Sequence, residues 1–212
     1  MQVKGNTLEL IKKSRPKIKI GDIFCYKMNN SFYVGVVLHN YLDPSLGEGT
    51  MITCAFLETK YAAVNEISVQ KIKDDLLSRA FLLPPINTNR RGWTHGYFIM
   101  LDNINLDFAE SILREIRFFY GIRTIYNITY SKVPDCPDFK LCGEIGGYAY
   151  EGIQFLLQIS LDLPFTEENS SLYDPYEYYR ELKEANFTGD YPFWYLKAKE
   201  RLKNVDLSKH WI

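Results

Sequence analysis

The sequence lacks most of the signatures from which catalytic centres are recognised. Its 212 residues hold three histidines, His39, His95 and His210. No H-E-x-x-H pair occurs, which excludes a helix-borne metal pair. No G-x-S-x-G elbow occurs, so the usual frame for a strand-to-helix nucleophile is missing. The glycine-rich run at Gly143, Gly146 and Gly147 has neither the Walker spacing nor the dinucleotide spacing and reads as a turn or bulge. The four cysteines, Cys25, Cys54, Cys136 and Cys142, form no C-x-x-C pair and have no histidine close by, so no zinc site is expected. Cys25 and Cys54 sit in apolar strand-like runs, where a reduced thiol behaves as a small buried hydrophobe. No metal and no cofactor are expected. There is no run of about 18 apolar residues, so no membrane span is expected. The first residues have neither an apolar core segment nor a small-residue cleavage site, and a cytoplasmic chain is the expectation.

Aromatic residues, by contrast, are abundant: they make up 15% of the chain, with 16 Tyr and 13 Phe. Tyrosine serves cores and binding surfaces equally well, because its ring is apolar and its tip is polar. Charge is divided along the chain. Residues 1–134 carry 17 Lys and Arg against 12 Asp and Glu, a net of +5, and residues 135–212 carry 8 against 14, a net of −6. A split of this size fits ordinary surface variation or an acidic face for a basic partner.

The pattern of elements points to an α+β fold. Residues 1–16 form a basic leader with Lys12, Lys13 and Arg15 ahead of Pro16. From residue 18, two β-rich runs are separated by Asn29 and Asn30, which tolerate the left-handed conformations of a tight hairpin. In the second run Phe32, Val34, Val36 and Leu38 share a face, and Gly35 suits a bulge or a close backbone approach. The stretch "YLDPSLGEGT" reads as a loop, "MITCAFLET" as a strand, and "SVQKIKDDLLSRAFL" as a short helix stopped by Pro84 and Pro85. "GYFIMLDNI" reads as a strand. Asp107 as cap, Glu110 three residues on, an apolar stripe and Gly121 predict a helix over 108–120. "RTIYNITYSKV" and "IQFLLQISLDL" are expected as strands, the second because Ile153, Phe155, Leu157, Ile159 and Leu161 alternate. Two helices are expected later, one opening at Asp174 and Pro175, the other near Pro192. Short strands with hairpin turns ahead of a helix favour a bent antiparallel sheet, open or barrel-like, packed against one or more helices and followed by a helical C-terminal segment.

The segment richest in chemistry is 81–98, "FLLPPINTNRRGWTHGYF". In one reading Arg90 and Arg91 clamp a phosphate, Trp93 stacks a base and His95 shuttles a proton, the basis of a small-ligand or nucleic-acid-binding enzyme. In the other, favoured reading the prolines give a rigid turn and Trp93, Tyr97 and Phe98 anchor the next strand in a core. A basic pair with one aromatic falls short of the wider basic stripe that nucleic-acid binding needs, so no direct nucleic-acid contact is expected.

Over residues 17–105 the chain resembles the immunity protein 26 family of bacterial polymorphic toxin systems. The residues that carry the likeness are Gly21, Asp22, Ile23 and Phe24 opening a strand, Tyr33, Gly35 and Val36 in the strand after the hairpin, and Pro85, Trp93 and Gly96 in the later segment. The resemblance implies a cytoplasmic antitoxin, not an enzyme, whose partner is the C-terminal toxin domain of its own system. It divides the chain into a basic leader at 1–16, an immunity-protein-like domain at 17–134, and an acidic, aromatic-rich segment at 135–212. Within that last segment Glu177, Glu181, Glu184, Tyr173, Tyr176 and Tyr178 combine charge with aromatic anchors, as binding surfaces do, and are the expected partner-binding residues.

Overall fold

The structure is a computed structural model that describes residues 7–43, 47–120, 124–134 and 141–164. Two long hairpins begin the first sheet. Strand β1 (Asp22–Met28) pairs antiparallel with β2 (Ser31–Asp43), with Met28 opposite Ser31. Asn29 and Asn30 make the turn at φ 52° and 59°, the positive values that a type I′ hairpin requires of both central residues. Strand β3 (Gly47–Tyr61) pairs with β2. The stretch expected as a loop is largely strand: Tyr41 pairs with Met51 and Asp43 with Gly47, so strand pairing overrides the local Gly and Pro signals.

Helix α1 (Val69–Ser78) forms where expected, capped by the Ser68 side chain, which accepts from the Lys71 N–H. The prolines do not stop it. It ends at Arg79, which is left-handed at φ 57°, and Pro84 and Pro85 lie inside β4 (Phe81–Thr88). They fall between the pairs Phe56–Leu83 and Cys54–Ile86, at a bulge where two residues of β4 face one of β3. A bulge tolerates proline because the ladder there needs no N–H. A one-turn helix, α2 (Arg91–Thr94), then leads to β5 (Ile99–Asn103), which pairs with β1.

The helix expected over 108–120 is short. After a 3-10 turn at Asp107–Ala109, α3 covers only Glu110–Glu115. Ile116 is extended, and the aromatic-rich run continues as β6 (Arg117–Tyr120), in line with the β preference of aromatic residues. Strands β7 (Thr124–Asn127) and β8 (Lys132–Val133) form a hairpin where one strand was expected. Strand β9 (Cys142–Glu144) runs parallel to β6, and β10 (Gly147–Tyr148) runs parallel to β4. The run expected as a strand at 153–161 is instead helix α4 (Tyr150–Ser160). Ile153, Phe155, Leu156, Leu157 and Ile159 are all buried, so the helix is covered on nearly every side. A helix of that kind has no polar face to reveal its period. The two helices expected after residue 174 lie outside the described residues.

The fold is therefore α+β, with sheets that are mixed. Six strands take the order β10-β4-β3-β2-β1-β5 and four take β8-β7-β6-β9. Each sheet is antiparallel apart from one short parallel pair, and neither closes into a barrel. The larger sheet is buried on both faces. On one side Phe24, Tyr26, Val37, Ile52, Cys54 and Phe56 meet Trp93, Phe98 and α4. On the other, Ile23, Val34, Val36, Leu38 and Leu57 meet α1, α3 and Phe118 of the smaller sheet. Among the described residues no helix is long and apolar enough to cross a membrane.

The sheet needs glycine at position 35. It faces Phe24 across the β1–β2 ladder, and a Cβ there would stand 2.2 Å from the Phe24 ring. Overpacking of this kind costs typically about 1–3 kcal/mol. Gly35→Ala is expected to lose stability in that range, measured as a lower urea midpoint with unchanged slope.

Candidate functional site

Trp93 is fully buried. Its ring meets Phe24 edge-on at 5.1 Å and Phe98 edge-on at 5.2 Å. Phe24 also packs edge-on against Phe56 at 5.7 Å. The α2 turn brings this cluster together. Gly92 lies so close to Phe98 that a Cβ would be 2.3 Å from its ring, and the Gly92 carbonyl accepts from the N–H groups of Tyr97 and Phe98. The architectural reading of the 81–98 stretch holds for Trp93, whose ring has no free face on which a base could stack.

The other three residues of the enzymatic reading lie around this core. Arg90 is half-buried beside Trp93. Arg91 and His95 gather at the start of α4. The Arg91 guanidinium stands 5.7 Å over the Tyr150 ring and 3.5 Å from Glu151 Oε1, and His95 meets Tyr150 edge-on at 5.2 Å. Tyr97 stacks on Tyr150 at 4.5 Å. Burial, reinforced by the Glu151 carboxylate, pushes the Tyr150 phenol up to about 12, so it stays protonated at neutral pH. The four residues do not converge on one concave site: Trp93 points into the core, while Arg91 and His95 hold the start of α4.

The basic leader is part of the fold from residue 7 onward. Leu8 and Ile18 enter the core. The N–H of Glu9 donates to the Lys27 carbonyl at 2.9 Å, and the Glu9 carboxylate pairs with Lys27 Nζ at 2.7 Å. Ile11 and Lys12 both donate to the Gly96 carbonyl, and Ser14 donates to the Trp93 carbonyl. Gly96 sits at φ 91°, and a Cβ there would be 2.8 Å from Lys13 N, so this glycine lets the leader cross. Further on, Asn40 Nδ2 donates to the Ile18 carbonyl. Residues 7–20 thus form a strap across the Trp93 turn. Asp22 closes it, accepting from Lys19 N–H at 2.7 Å and from Asn103 Nδ2 at 2.8 Å.

A buried polar clasp joins the two sheets. Asn87 Oδ1 accepts from Thr53 Oγ1 at 2.8 Å and from the Tyr130 hydroxyl at 2.9 Å, while Asn87 Nδ2 donates to the Ile145 carbonyl. Thr88 Oγ1 donates to the Tyr148 carbonyl. Burial pushes the Tyr130 phenol up to about 12. This clasp was not visible in the sequence: Asn87 and Thr88 lie in the 81–98 stretch, but their partners Thr53, Tyr130, Ile145 and Tyr148 are distant in the chain.

Beside Trp93 the strap leaves an apolar pocket of about 100 Å³, lined by Arg15, Pro16, Ile18, Arg90, Trp93 and Thr94. Of its residues the sequence singled out Arg15 only as leader charge, since only the fold brings the strap to the α2 turn. The expected partner-binding residues Glu177, Glu181, Glu184, Tyr173, Tyr176 and Tyr178 lie outside the described residues. No group of three or more His, Cys, Asp or Glu among the described residues could hold a metal ion.

Searches of family models, curated proteins and solved structures find no match to the chain.

Two substitutions probe the core of this region. Trp93→Ala removes a fully buried ring and is expected to cost about 3–5 kcal/mol in urea unfolding. Tyr130→Phe tests the clasp at high pH. A phenol whose folded pKa is raised stabilises the fold below its unfolded pKa, near 10, and that stability is lost as pH rises towards 12. Wild type is therefore expected to lose stability more steeply than Tyr130→Phe between pH 10 and 12.

Proposed function

We propose that the chain is a cytoplasmic immunity protein that binds the C-terminal toxin domain of its own polymorphic toxin system and neutralises it. One observation carries the reading: six of the ten residues behind the resemblance form a connected set of packing contacts and hydrogen bonds. Gly35 receives Phe24, Phe24 packs on Trp93, Gly96 admits the strap held to Trp93, and Asp22 ties the strap to Asn103. Gly21 belongs to the same set, since a Cβ there would lie 1.9 Å from the Ile104 carbonyl oxygen. A likeness made of interdependent structural positions supports shared architecture better than scattered identities do. Its use in this reading is binding, with no chemistry of its own: the toxin is held, and its site is covered or distorted.

The test is co-expression of the full chain with the toxin domain encoded beside it. Cell survival and co-purification of a stoichiometric complex are expected. A chain that neither protects nor co-purifies overturns the reading.

A second measurement addresses the acidic segment expected to contact the toxin. Complementary charge mainly speeds association. Reversing Glu177, Glu181 and Glu184 together is expected to slow association at low salt and flatten its salt dependence while the fold survives. Unchanged association kinetics would move the interface away from these residues.

A further inference from the structure

We infer that the strap formed by residues 7–20 is a nucleic-acid-binding surface, and that a row of cations along it takes the phosphate backbone of a duplex without reading its sequence. The inference goes beyond the immunity reading and does not depend on it.

The first observation is how the strap is laid down. From residue 13 to residue 19 exposure alternates: Lys13, Arg15, Lys17 and Lys19 are exposed, whereas Ser14 and Pro16 are half-buried and Ile18 is buried in the core. A period of two is that of an extended chain, and Pro16 favours it by keeping Arg15 out of the helical region. The main chain under the row is held. The Ser14 N–H donates to the Trp93 carbonyl, the Ile18 carbonyl accepts from Asn40 Nδ2, and the Lys19 N–H donates to the Asp22 carboxylate. Four cations therefore stand on one face of a fixed segment. At about 3.3 Å per residue the row is roughly 20 Å long.

The second observation is that nothing described around the row neutralises it. Among the described residues none of the four makes an ion pair. The acids on either side are committed, Glu9 to Lys27, and Asp22 to Asn103 and the Lys19 N–H. Lys12 is exposed beside the row, and Arg90 lines the same pocket as Arg15, so the α2 turn adds its charge to the strap. The 81–98 stretch on its own lacks the basic stripe that nucleic-acid binding needs. The fold supplies the stripe by laying the strap across it.

Shape and composition select the polyanion. A straight, fixed row loses little freedom on meeting a linear array of charge. Duplex nucleic acid carries a phosphate about every 3.4 Å along each strand, so roughly 20 Å of one strand presents about six phosphates. Single-strand binders add exposed aromatic rings for stacking, and residues 7–20 contain no aromatic residue, while Trp93 beneath them is fully buried. Contacts to phosphate alone carry no sequence information. The chain as a whole has a net charge of −1, so the attraction is local to the strap and is screened by salt. An anionic bilayer offers a plane of mobile charge, for which a fixed line has no advantage.

The experiment is fluorescence anisotropy of the full chain with labelled DNA and RNA duplexes of about 24 base pairs, long enough to exceed the row, each in two unrelated sequences. Every variant is first shown to unfold in urea like wild type. Wild type is expected to bind both sequences alike, and the DNA and RNA arms tell which duplex is the ligand. Four phosphate contacts on DNA predict a log–log salt slope of about −3.6, or roughly a hundredfold loss of affinity between about 50 and 200 mM salt. Lys17→Ala is expected to flatten that slope by about 0.9. Changing Lys13, Arg15, Lys17 and Lys19 together to Gln is expected to abolish binding. Lys60→Gln with Lys132→Gln, exposed lysines in β3 and β8, is expected to change affinity less than about twofold.

No binding to either duplex at low salt, or binding that survives the Gln variant of the row, overturns the inference. So does an equal loss in the Lys60 and Lys132 variant, which would assign the binding to diffuse charge. Binding to phosphatidylcholine and phosphatidylserine vesicles but to no duplex would assign the strap to a membrane surface. Loss of toxin binding in the Gln variant, with no duplex binding by wild type, would assign it to the toxin. Either result overturns the inference. The immunity reading stands or falls by the co-expression result alone.

Discussion

The packing of Phe24 on Gly35 is the contact on which the rest of the fold depends. Phe24 is buried between a cross-strand glycine, Phe56, Phe98 and Trp93. Gly35 is the only kind of residue that admits its ring at that distance, and the space so filled fixes where Trp93 can sit. Trp93 in turn fixes the α2 turn, whose carbonyls at Trp93 and Gly96 receive the strap. Removing the ring or blocking its seat would disturb hairpin, turn and strap together, because a close-packed core transmits misfit rather than absorbing it.

The larger sheet is covered on both faces, and this limits where the molecule can act. One face carries α4 and the Trp93 turn, the other α1, α3 and the smaller sheet. The clasp centred on Asn87 holds the smaller sheet against the larger by a fully buried Thr53–Asn87 hydrogen bond and part-buried bonds to Tyr130 and Ile145, where an unpaired partner would be costly. With the sheet faces committed to packing, surfaces for a partner are left to edges, loops and segments that cross the outside. The strap is such a segment, its main chain hydrogen-bonded to Lys27, Gly96, Trp93 and Asn40.

The charges of the chain acquire a different meaning once placed. In the sequence the leader was a basic tail and the 81–98 stretch a mixture of chemistry and turn. In the structure the two are one surface, because Ser14 and Trp93 are hydrogen-bonded. Arg91 and His95, which looked like partners of Trp93, belong to the start of α4 through Tyr150.

By itself the sequence determined the α+β class, the β1–β2 hairpin with its Asn29–Asn30 turn, helix α1, the buried thiols Cys25 and Cys54, and the core role of Trp93. These follow from local chemistry: positive φ at asparagine, a serine cap, and apolar or aromatic side chains that must leave water. Only the tertiary structure decided the rest. Residues 150–160 form a helix that the sequence hid, because a helix buried on nearly every side has no polar face to reveal its period. Residues 117–120 became a strand because β9 and β7 were there to pair with them. Pro84 and Pro85 entered a strand because a bulge released them from the ladder. The strap became a surface because two glycines, Gly21 and Gly96, allow backbone to approach backbone more closely than any side chain would permit.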